Sequence, residues 1–291
     1  MKYGQIGRKK MIRQKSFDEQ KPTLYLVPTP IGNMSEMTTR ALDTLRQVDY
    51  IACEDTRNSG KLLKAYDIHK PLLSHHEYNQ ETSIPKILGL LESGNSVAII
   101  SDAGYPLVSD PGQKLVRTMI ENEIPVVSVS GANAAINALV ASGLNTQHYL
   151  FYGFLDAKKA KRERQLEELK DFPYTMIFYE APHRIEEMLS SLLTIFGNRK
   201  IVLARELTKL HEEYLRGNVE EILSVCPTLK GEMVVVVSGK EKEENIGVEA
   251  AFPLVCQLME SGLKTKQAVQ TIAKKYGISK NELYQFVIKN K

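Results

Sequence analysis

The stretch VAIISDAGYPLVSDPG, residues 97–112, is the segment that decides the fold class of this chain. Residues 97–100 are uninterruptedly apolar, the pattern of a parallel strand buried on both faces. Small, polar and turn-forming residues follow, and a helix is predicted after them, with Asp110 as its N-cap and Pro111 in its first turn. Because open parallel sheets bind ligands at their carboxyl edge, this loop is a candidate binding site, although an ordinary strand-to-helix connection has the same pattern.

The composition is that of a globular protein with more than one domain. The chain has 291 residues, of which 43% are hydrophobic and 25% charged, and its net charge of +3 is too mild to make the whole molecule a nucleic-acid binder. Its three cysteines are far apart, with no C-x-x-C pair and no histidine cluster that would indicate structural zinc. Neither a membrane-length apolar run nor a secretory signal is present, so we expect a cytoplasmic protein without a membrane segment.

Alternating strands and helices predict an N-terminal α/β domain over residues 23–146. The pattern changes near Gln147, where we place the start of a C-terminal α/β domain over residues 147–240. In the first domain Asn33 and Glu36 resemble a capping box that opens a helix over residues 34–47. Further strands of this domain are predicted at 50–53, 97–100 and 126–129, and further helices at 84–93, 113–122 and 132–142. In the second domain helices are predicted at 158–170 and 184–196. Its strands are predicted at 175–179, at 201–204, near Tyr214 and at 233–237.

Residues 1–22 predict a basic flexible tail with little apolar periodicity. Such a segment is either a solvated extension or an arm that touches RNA. Its cations are Arg8, Lys9, Lys10, Arg13 and Lys15.

Residues 248–291, which follow a charged linker over residues 239–247, predict a helix-turn-helix-like unit. Ala268 and Ile272 belong to an apolar helical face, Gly277 breaks that helix, and Ser279 is placed to cap the next one. A generic helical hairpin remains the alternative. Four lysines give the unit a basic surface: Lys274, Lys275, Lys280 and Lys289.

The common catalytic motifs are missing from the sequence. There is no phosphate-binding P-loop, no G-x-G-x-x-G after a strand, no G-x-S-x-G nucleophile elbow and no H-E-x-x-H zinc helix. Three loops rich in Pro, Gly, Ala and Ser remain, over residues 28–33, 101–112 and 128–135. Each follows a predicted parallel strand, so together they predict a ligand site built largely from main-chain groups.

A set of motifs in these loops and beyond them resembles one known family. LYLVPTPIGN, EDTR, SDAGYPLVSDPG, GANAA, FYGFL, FYEAPHR and ELTK occur in this order between residues 23 and 239. In its motifs and their order, the chain resembles the ribosomal RNA small subunit methyltransferase I family of the tetrapyrrole-methylase-like superfamily. The resemblance implies a two-domain α/β methyltransferase, distinct from the Rossmann type, with a C-terminal helix-turn-helix-like unit. It also implies the cofactor S-adenosyl-L-methionine, 2′-O-methylation of a decoding-centre cytidine in 16S rRNA within the small ribosomal subunit, and a homodimer.

The same resemblance implies which residues bind the cofactor. The first loop departs from the V-G-x-G-P-G-D of tetrapyrrole methylases, because it reads VPTPIGN, and this departure argues against a tetrapyrrole substrate. The implied cofactor-binding residues are Pro30, Ser101, Asp102, Ala103, Gly104, Leu107, Ser130, Gly131, Asn133, Ala134, Tyr179, Glu180 and Leu207.

Methyl transfer from a sulfonium needs alignment and removal of a proton, and no metal. Glu54 and Asp55 are the candidate bases, since Glu54 matches an acidic residue that accepts a proton in tetrapyrrole homologues, and Arg57 would orient the substrate. An ion pair or a helix cap is an equally good interpretation of the two acids. His75, His76 and His183 are weaker candidate bases.

RNA contacts are predicted at the start of the 158–170 helix, at the FYEAPHR motif and in the helix-turn-helix-like unit. A charge run of this kind is otherwise simply a solvated helix face, and as a phosphate-binding patch it predicts strong salt dependence. The candidates are Lys158, Lys159, Lys161, Arg162, Arg164, His183, Arg184, Lys274, Lys275 and Lys280. Two other functions stay open, a tetrapyrrole- or diphthine-type small-molecule methylase and a helix-turn-helix regulator with a ligand-sensing α/β body.

Overall fold

The computed structural model describes residues 11–16, 21–241 and 246–290. The chain divides into two compact units. The first reaches Lys170 and continues over Tyr174–Ser238, and it contains two five-stranded sheets. The second combines Asp171–Pro173 with Gly239–Lys291 and is helical where it is described from residue 246 onward. The predicted domain boundary at residue 147 falls between the two sheets.

The first sheet is entirely parallel, as predicted from its apolar runs. Its strands are β1 (Leu24–Val27), β2 (Tyr50–Cys53), β3 (Leu72–Ser74), β4 (Val97–Ile100) and β5 (Val126–Ser128), in the order β3-β2-β4-β1-β5. Strand β4 is central, and all four of its residues are buried. The loops after β1, β4 and β5 therefore leave one edge of the sheet from adjacent strands.

Helices cover both faces of this sheet. Helices α1 (Thr39–Gln47) and α2 (Thr56–Ala65) bury apolar residues on one face, and α3 (Gln80–Glu92) and α4 (Gln113–Glu121) do so on the other. The helix predicted over residues 34–47 is interrupted. Asn33 caps only a 3-10 turn, and Thr38 provides the N-cap of α1.

Helix α5 (Ala134–Ser142) joins the two halves of the first unit. Asn133 caps its start, and Gly143 ends it with a left-handed φ of 79°, as predicted for a glycine stop. Its buried Ala135, Ala138 and Leu139 pack against strands of the second sheet. The two halves consequently share one core cluster at the cavity described below.

The second sheet is mixed. Its strands are β6 (Tyr149–Phe154), β7 (Thr175–Glu180), β8 (Lys200–Arg205), β9 (Glu213–Asn218) and β10 (Met233–Val237), in the order β6-β7-β10-β8-β9. Only β6 and β7 are parallel. Helices α6 (Lys159–Leu169), α7 (Ile185–Phe196) and α8 (Val219–Val225) complete this half.

The helical unit contains α9 (Val248–Glu260), α10 (Thr265–Lys275) and α11 (Lys280–Lys289). Gly277 lies between α10 and α11 with φ at 63°, and the Ser279 hydroxyl caps α11 by accepting from the Glu282 N–H. Eight buried aliphatic residues from the three helices form its core. The predicted turn and cap are confirmed.

The described part of the N-terminal segment makes specific contacts. The Gln14 side chain exchanges two hydrogen bonds of 2.9 Å with the N–H and carbonyl of Val126, on the edge strand β5. Arg13 and Lys15 flank this contact and are exposed. The predicted tail cations Arg8, Lys9 and Lys10 lie outside the described residues.

Candidate functional site

The three glycine- and proline-rich loops at the edge of the first sheet are tied to one another. Thr29 and Gly104 exchange backbone hydrogen bonds of 2.9 and 3.0 Å, which link the first loop to the second. The Tyr105 hydroxyl accepts a 3.0 Å hydrogen bond from the Gly131 N–H and so links the second loop to the third. This meeting of the loops was predicted from the parallel-strand pattern alone.

Gly131 is required by the close approach of two of these loops. A Cβ atom at Gly131 would lie 2.9 Å from Cβ of Pro28, a distance that real side chains do not adopt. The prolyl ring is held by its own backbone and cannot move aside as a flexible side chain would. The contact therefore fixes the third loop directly against the first.

A cavity of about 370 Å³ opens where the three loops meet the second sheet. Its volume falls within the range of roughly 300–1,000 Å³ that is usual for small-molecule sites. The lining combines apolar and aromatic side chains with four carboxylates. It consists of Ile31, Asp102, Ala103, Gly104, Tyr105, Val108, Ser109, Asp110, Asn133, Ala134, Phe154, Tyr179, Glu180, Ala181, Pro182, Leu207, Glu232, Met233 and Val234.

Eight of the thirteen predicted cofactor-binding residues line this cavity. They are Asp102, Ala103, Gly104, Asn133, Ala134, Tyr179, Glu180 and Leu207.

The other five predicted residues do not line the cavity and belong to the loops around it. The buried Ser101 hydroxyl donates to the Gly104 carbonyl at 2.8 Å, and the Ser130 carbonyl accepts from the Thr38 hydroxyl at 3.1 Å. Pro30 is buried, Gly131 packs on Pro28, and Leu107 packs beneath Gly112. Their contribution is to the shape of the loops.

Glu180 presents a buried carboxylate to the cavity. Its Oε1 accepts from the Ala181 N–H at 2.9 Å and lies 3.3 Å from Nε of Arg184. Its Oε2 is buried and has no hydrogen-bond partner among the described residues. Burial raises the pKa of this carboxyl, in spite of the Ala181 bond and the Arg184 charge. A ligand hydroxyl or ammonium group at this wall would satisfy the unpaired oxygen.

Aromatic rings form another part of the wall. The Tyr179 ring lies edge-on to Phe151 and Phe154, with centroid distances of 5.0 and 5.6 Å. Burial raises the pKa of the Tyr179 hydroxyl. An apolar or aromatic portion of a ligand fits beside these rings.

The acidic loop after β2 lies next to the loop after β4. Asp55 is the N-cap of α2, and its Oδ1 accepts from the Arg57 and Asn58 N–H groups at 2.8 and 3.4 Å. The capping alternative that the sequence left open for Asp55 is therefore the one observed. Glu54 and Arg57 are both exposed and do not line the cavity. His75, a weaker candidate base, is buried and hydrogen-bonded to Ser83.

Asp110 does not cap the helix for which the sequence predicted it. Helix α4 begins at Gln113 with Gly112 at its N-cap, so Asp110 lies outside the helix and lines the cavity instead. Burial, followed by the charges of Glu54 and Asp102, raises the pKa of Asp110 to about 6. The Asp110 carboxyl thus interacts electrostatically with two other carboxylates, Asp102 in the same loop and Glu54 in the loop after β2.

The basic residues at the start of α6 separate into two kinds. Lys158, Lys159, Lys161 and Arg164 are exposed. Arg162 is 2% exposed, and its guanidinium donates to the Ser191 hydroxyl, the Ala157 carbonyl and the Glu187 carboxylate. The prediction that Arg162 contacts RNA is wrong, because its side chain belongs to the interface between α6 and α7.

The other predicted RNA contacts differ in accessibility. His183 is exposed, whereas Arg184 is engaged with Glu180 and with the Leu155 carbonyl at 2.8 Å. In the helical unit Lys274, Lys275 and Lys280 are exposed. Of the two side chains predicted from FYEAPHR to contact RNA, His183 is thus presented to solvent and Arg184 is engaged within the fold.

Eleven of the nineteen residues on the cavity wall were not predicted as cofactor-binding residues, among them Tyr105, Asp110 and Phe154. Tyr105 and Asp110 lie within the quoted loop, and Phe154 lies in the FYGFL motif. Their positions in these motifs were a usable signal. Their side-chain directions depend on the loop backbone, which residue pattern does not specify.

Residues 11–16, 21–241 and 246–290 contain no group of three or more His, Cys, Asp or Glu side chains arranged to hold a metal ion. In the same ranges no helix has the length and apolar character needed to cross a membrane.

Solved structures share the two-sheet architecture. The chain superimposes on a uroporphyrin-III-C-methyltransferase from Thermus thermophilus with a TM-score of 0.55 and 22% identity, over 75% of this chain and 94% of that one. A cobalt precorrin-4 methyltransferase of cobalamin biosynthesis matches with a TM-score of 0.57 and 15% identity, over 74% and 94% of the two chains. The fold is therefore that of the tetrapyrrole methylases, and the predicted fold class is confirmed.

Sequence comparison identifies a narrower group of related proteins. The family described as Tetrapyrrole (Corrin/Porphyrin) Methylases matches residues 23–223. A protein of Streptococcus pyogenes serotype M18 (strain MGAS8232) named ribosomal RNA small subunit methyltransferase I is 47% identical over 94% of this chain and 97% of its own length. A protein of Bacillus subtilis (strain 168) with the same name is 44% identical over 94% and 97%. The chain thus belongs to the tetrapyrrole methylases and, within them, to the ribosomal RNA small subunit methyltransferase I family.

Proposed function

We propose that this protein transfers the methyl group of S-adenosyl-L-methionine to the ribose 2′-oxygen of a decoding-centre cytidine in 16S rRNA. The observation that carries the cofactor part is the cavity, which combines an aromatic and apolar wall with acidic groups and one unpaired buried oxygen. The names of the relatives at 44–47% identity support the rRNA part.

The chemistry of the cavity wall supports the choice of this cofactor. Phe154 and Tyr179 offer rings to an adenine, and Glu180 Oε2 offers an acceptor to a ribose hydroxyl. Asp102 and Glu232 add negative charge to walls that would face a cationic ligand. The cofactor supplies an electrophilic methyl group on a positively charged sulfur, and the chain has to position it and exclude water.

The exposed cations of α6 are the proposed phosphate-binding patch. They follow the cavity residue Phe154 closely along the chain, so the end of β6 connects the cavity to the patch. The second proposed RNA contact is the surface of the helical unit that carries Lys274, Lys275 and Lys280. Assembly as a homodimer, action on the small ribosomal subunit and a cytoplasmic location belong to the same proposal.

Methylation assays with labelled S-adenosyl-L-methionine test the proposal directly. Naked 16S rRNA, assembled small subunits, duplex DNA and a tetrapyrrole are offered separately, and the labelled nucleotide is mapped. Label on one cytidine ribose of 16S rRNA is the expected result. Label on a tetrapyrrole alone supports a small-molecule methylase, and sequence-specific DNA binding without methyl transfer supports the regulator.

The phosphate-binding patch is tested by the salt dependence of RNA binding. We expect the quadruple variant Lys158→Ala, Lys159→Ala, Lys161→Ala, Arg164→Ala to lower the slope of log affinity against log salt by about 3, since each phosphate contact contributes about 0.7–0.9. The control variant replaces Lys61 and Lys86 with alanine. Both are exposed lysines, on the helices α2 and α3 that cover the first sheet. Equal slopes for the quadruple variant and wild type would show that the α6 cations form only a solvated face.

A further inference from the structure

Asp110 has no structural role in the helix that follows it. The N-cap position of α4 belongs to Gly112, two residues further on. Within the described residues the Asp110 carboxyl has no hydrogen-bond donor and no cationic partner at salt-bridge distance. A half-buried acid without a partner in a binding cavity is unfavourable for folding, which points to a role in function.

The backbone of the loop holds Asp110 on the cavity wall. Leu107 and Ser109 adopt left-handed φ values of 71° and 64°, which are uncommon for residues with side chains. Gly112 has φ at 132°, and a Cβ there would lie 3.1 Å from Cγ of Leu107. This packing leaves the segment little freedom, so the direction of the Asp110 side chain is set by the loop.

The groups around Asp110 are acidic or neutral. Glu54 from the end of β2, Asp102 from the same loop and Tyr179 from β7 interact with it electrostatically. Glu180 and Glu232 line the same cavity, with Arg184 directed toward Glu180. Burial and the like charges raise the pKa of Asp110 to about 6, so that the carboxyl is ionised at neutral pH and yet more basic than an ordinary aspartate.

The two acids of the loop after β2 are less suited than Asp110 to accept a proton inside the cavity. Asp55 is occupied by the N–H groups that it caps, and Glu54 is exposed and absent from the cavity lining. Asp110 combines a place on the wall with an unpaired carboxyl. A general base works best when its pKa lies near the working pH.

We propose that Asp110 accepts the proton of the target hydroxyl group during methyl transfer. This inference rests on the function proposed above. The Asp110 carboxylate takes the hydroxyl proton as the hydroxyl oxygen bonds to the methyl carbon and the carbon–sulfur bond breaks, its electron pair remaining on sulfur. One negative and one positive charge are thereby replaced by a neutral carboxylic acid, a methyl ether and a thioether.

The test compares wild type with Asp110→Asn, which preserves the size of the side chain and removes its basicity. Three quantities are measured between pH 5 and 9: kcat for methyl transfer to small subunits, the dissociation constant of S-adenosyl-L-methionine by calorimetry, and the melting temperature. Asp43→Asn, an exposed site on α1, is the matched control.

We expect Asp110→Asn to lower kcat by about 100-fold or more at pH 7.5, the usual effect of losing a general base. The wild-type rate should fall as the pH drops through about 6, because protonation removes the acceptor, and this acidic limb should be missing from the residual activity of the variant. Cofactor affinity should change less than about threefold, and Asp43→Asn should match wild type.

The inference is overturned if Asp110→Asn keeps kcat and the acidic limb, which would leave the proposed function standing. A tenfold loss of cofactor affinity with kcat unchanged also overturns it, since Asp110 would then only bind the cofactor. Absence of methyl transfer to any RNA by the wild-type protein rejects the proposed function and this inference with it.

Discussion

The loops after β2 and β4 leave neighbouring parallel strands, and both carry acidic residues, but they use them differently. After β2 the helix begins at Thr56, so Asp55 is the only residue in position to cap it. After β4 the helix is delayed until Gln113, and the twelve residues 101–112 are available for other contacts. A residue of a type that favours capping therefore becomes a cap only where the backbone turns into a helix.

The difference also separates structural from functional acids. Asp55 stabilises the start of α2 through two backbone N–H groups. Asp110 lies in a loop whose unusual backbone angles direct it to the cavity. One aspartate is expected to matter mainly for folding and the other mainly for activity.

The largest expected effect comes from disturbing the backbone of the β4 loop. Gly112→Ala should lower the free energy of unfolding by about 3 kcal/mol, for two reasons. An alanine is strained at φ 132°, and its Cβ would press against the Leu107 side chain. The substitution should also weaken cofactor binding. Chemical denaturation and calorimetry measure the two effects.

Gly94→Ala is the matched control for this substitution. Gly94 also has a positive φ, 95°, but a Cβ there meets nothing within 4 Å. We expect a loss of only about 1 kcal/mol from backbone strain and unchanged cofactor affinity. Equal losses at the two glycines would mean that packing against Leu107 does not hold the loop.

A smaller effect should distinguish the two aspartates. Asp55→Ala should lower the free energy of unfolding by about 1 kcal/mol, the usual cost of removing an N-cap. Asp110→Ala should instead leave the free energy of unfolding unchanged or raise it slightly at pH 7.5, because it removes a desolvated carboxylate from like charges and breaks no hydrogen bond among the described residues. Urea denaturation at pH 7.5 measures both variants, and a larger loss of stability for Asp110→Ala than for Asp55→Ala would contradict these different roles of the two aspartates.

The smallest expected effect tests the electrostatic interaction between the loop after β2 and the loop after β4. Glu54→Gln removes one of the charges that raise the pKa of Asp110, so the acidic limb of the rate profile should move to lower pH by a few tenths of a unit. At pH 7.5 kcat should change less than about fivefold. A loss as large as that of Asp110→Asn would instead identify Glu54 as the proton acceptor. Asp55→Asn, which keeps a capping oxygen, provides the control within the same loop.

Some elements of the fold were predictable because their signal is local. Strands β2, β4 and β10 match the predicted residues, since four or five successive apolar residues in a short run fit a buried strand. Strands β3 and β6 and helices α2 and α8 were missed. Strand β3 and helix α8 are short, and α2 is rich in polar residues. Strand β6 is apolar but contains Gly153, where its register with β7 is irregular, so its formation also depends on pairing with a distant segment.

The burial of the Arg162 side chain could not be predicted from the sequence for a similar reason. The sequence carries five basic residues within residues 158–164, and such a charge cluster gives no indication of which member faces inward. In the folded helix the 3.6-residue repeat turns Arg162 toward α7, where Ser191 and Glu187 satisfy its guanidinium. The exposed members of the run remain a predicted RNA contact.

The sequence by itself determined the parallel first sheet, the three loops at its edge, the cap and turn of the helical unit and, through its motifs, the family. These properties depend on residues close together in the chain or on motif order. The tertiary structure alone decided which loop residues line the cavity, that Asp55 is a cap and Asp110 is not, and that Arg162 is buried. The physical reason is that burial, direction and pKa of a side chain are set by neighbours distant in sequence, which only folding brings together.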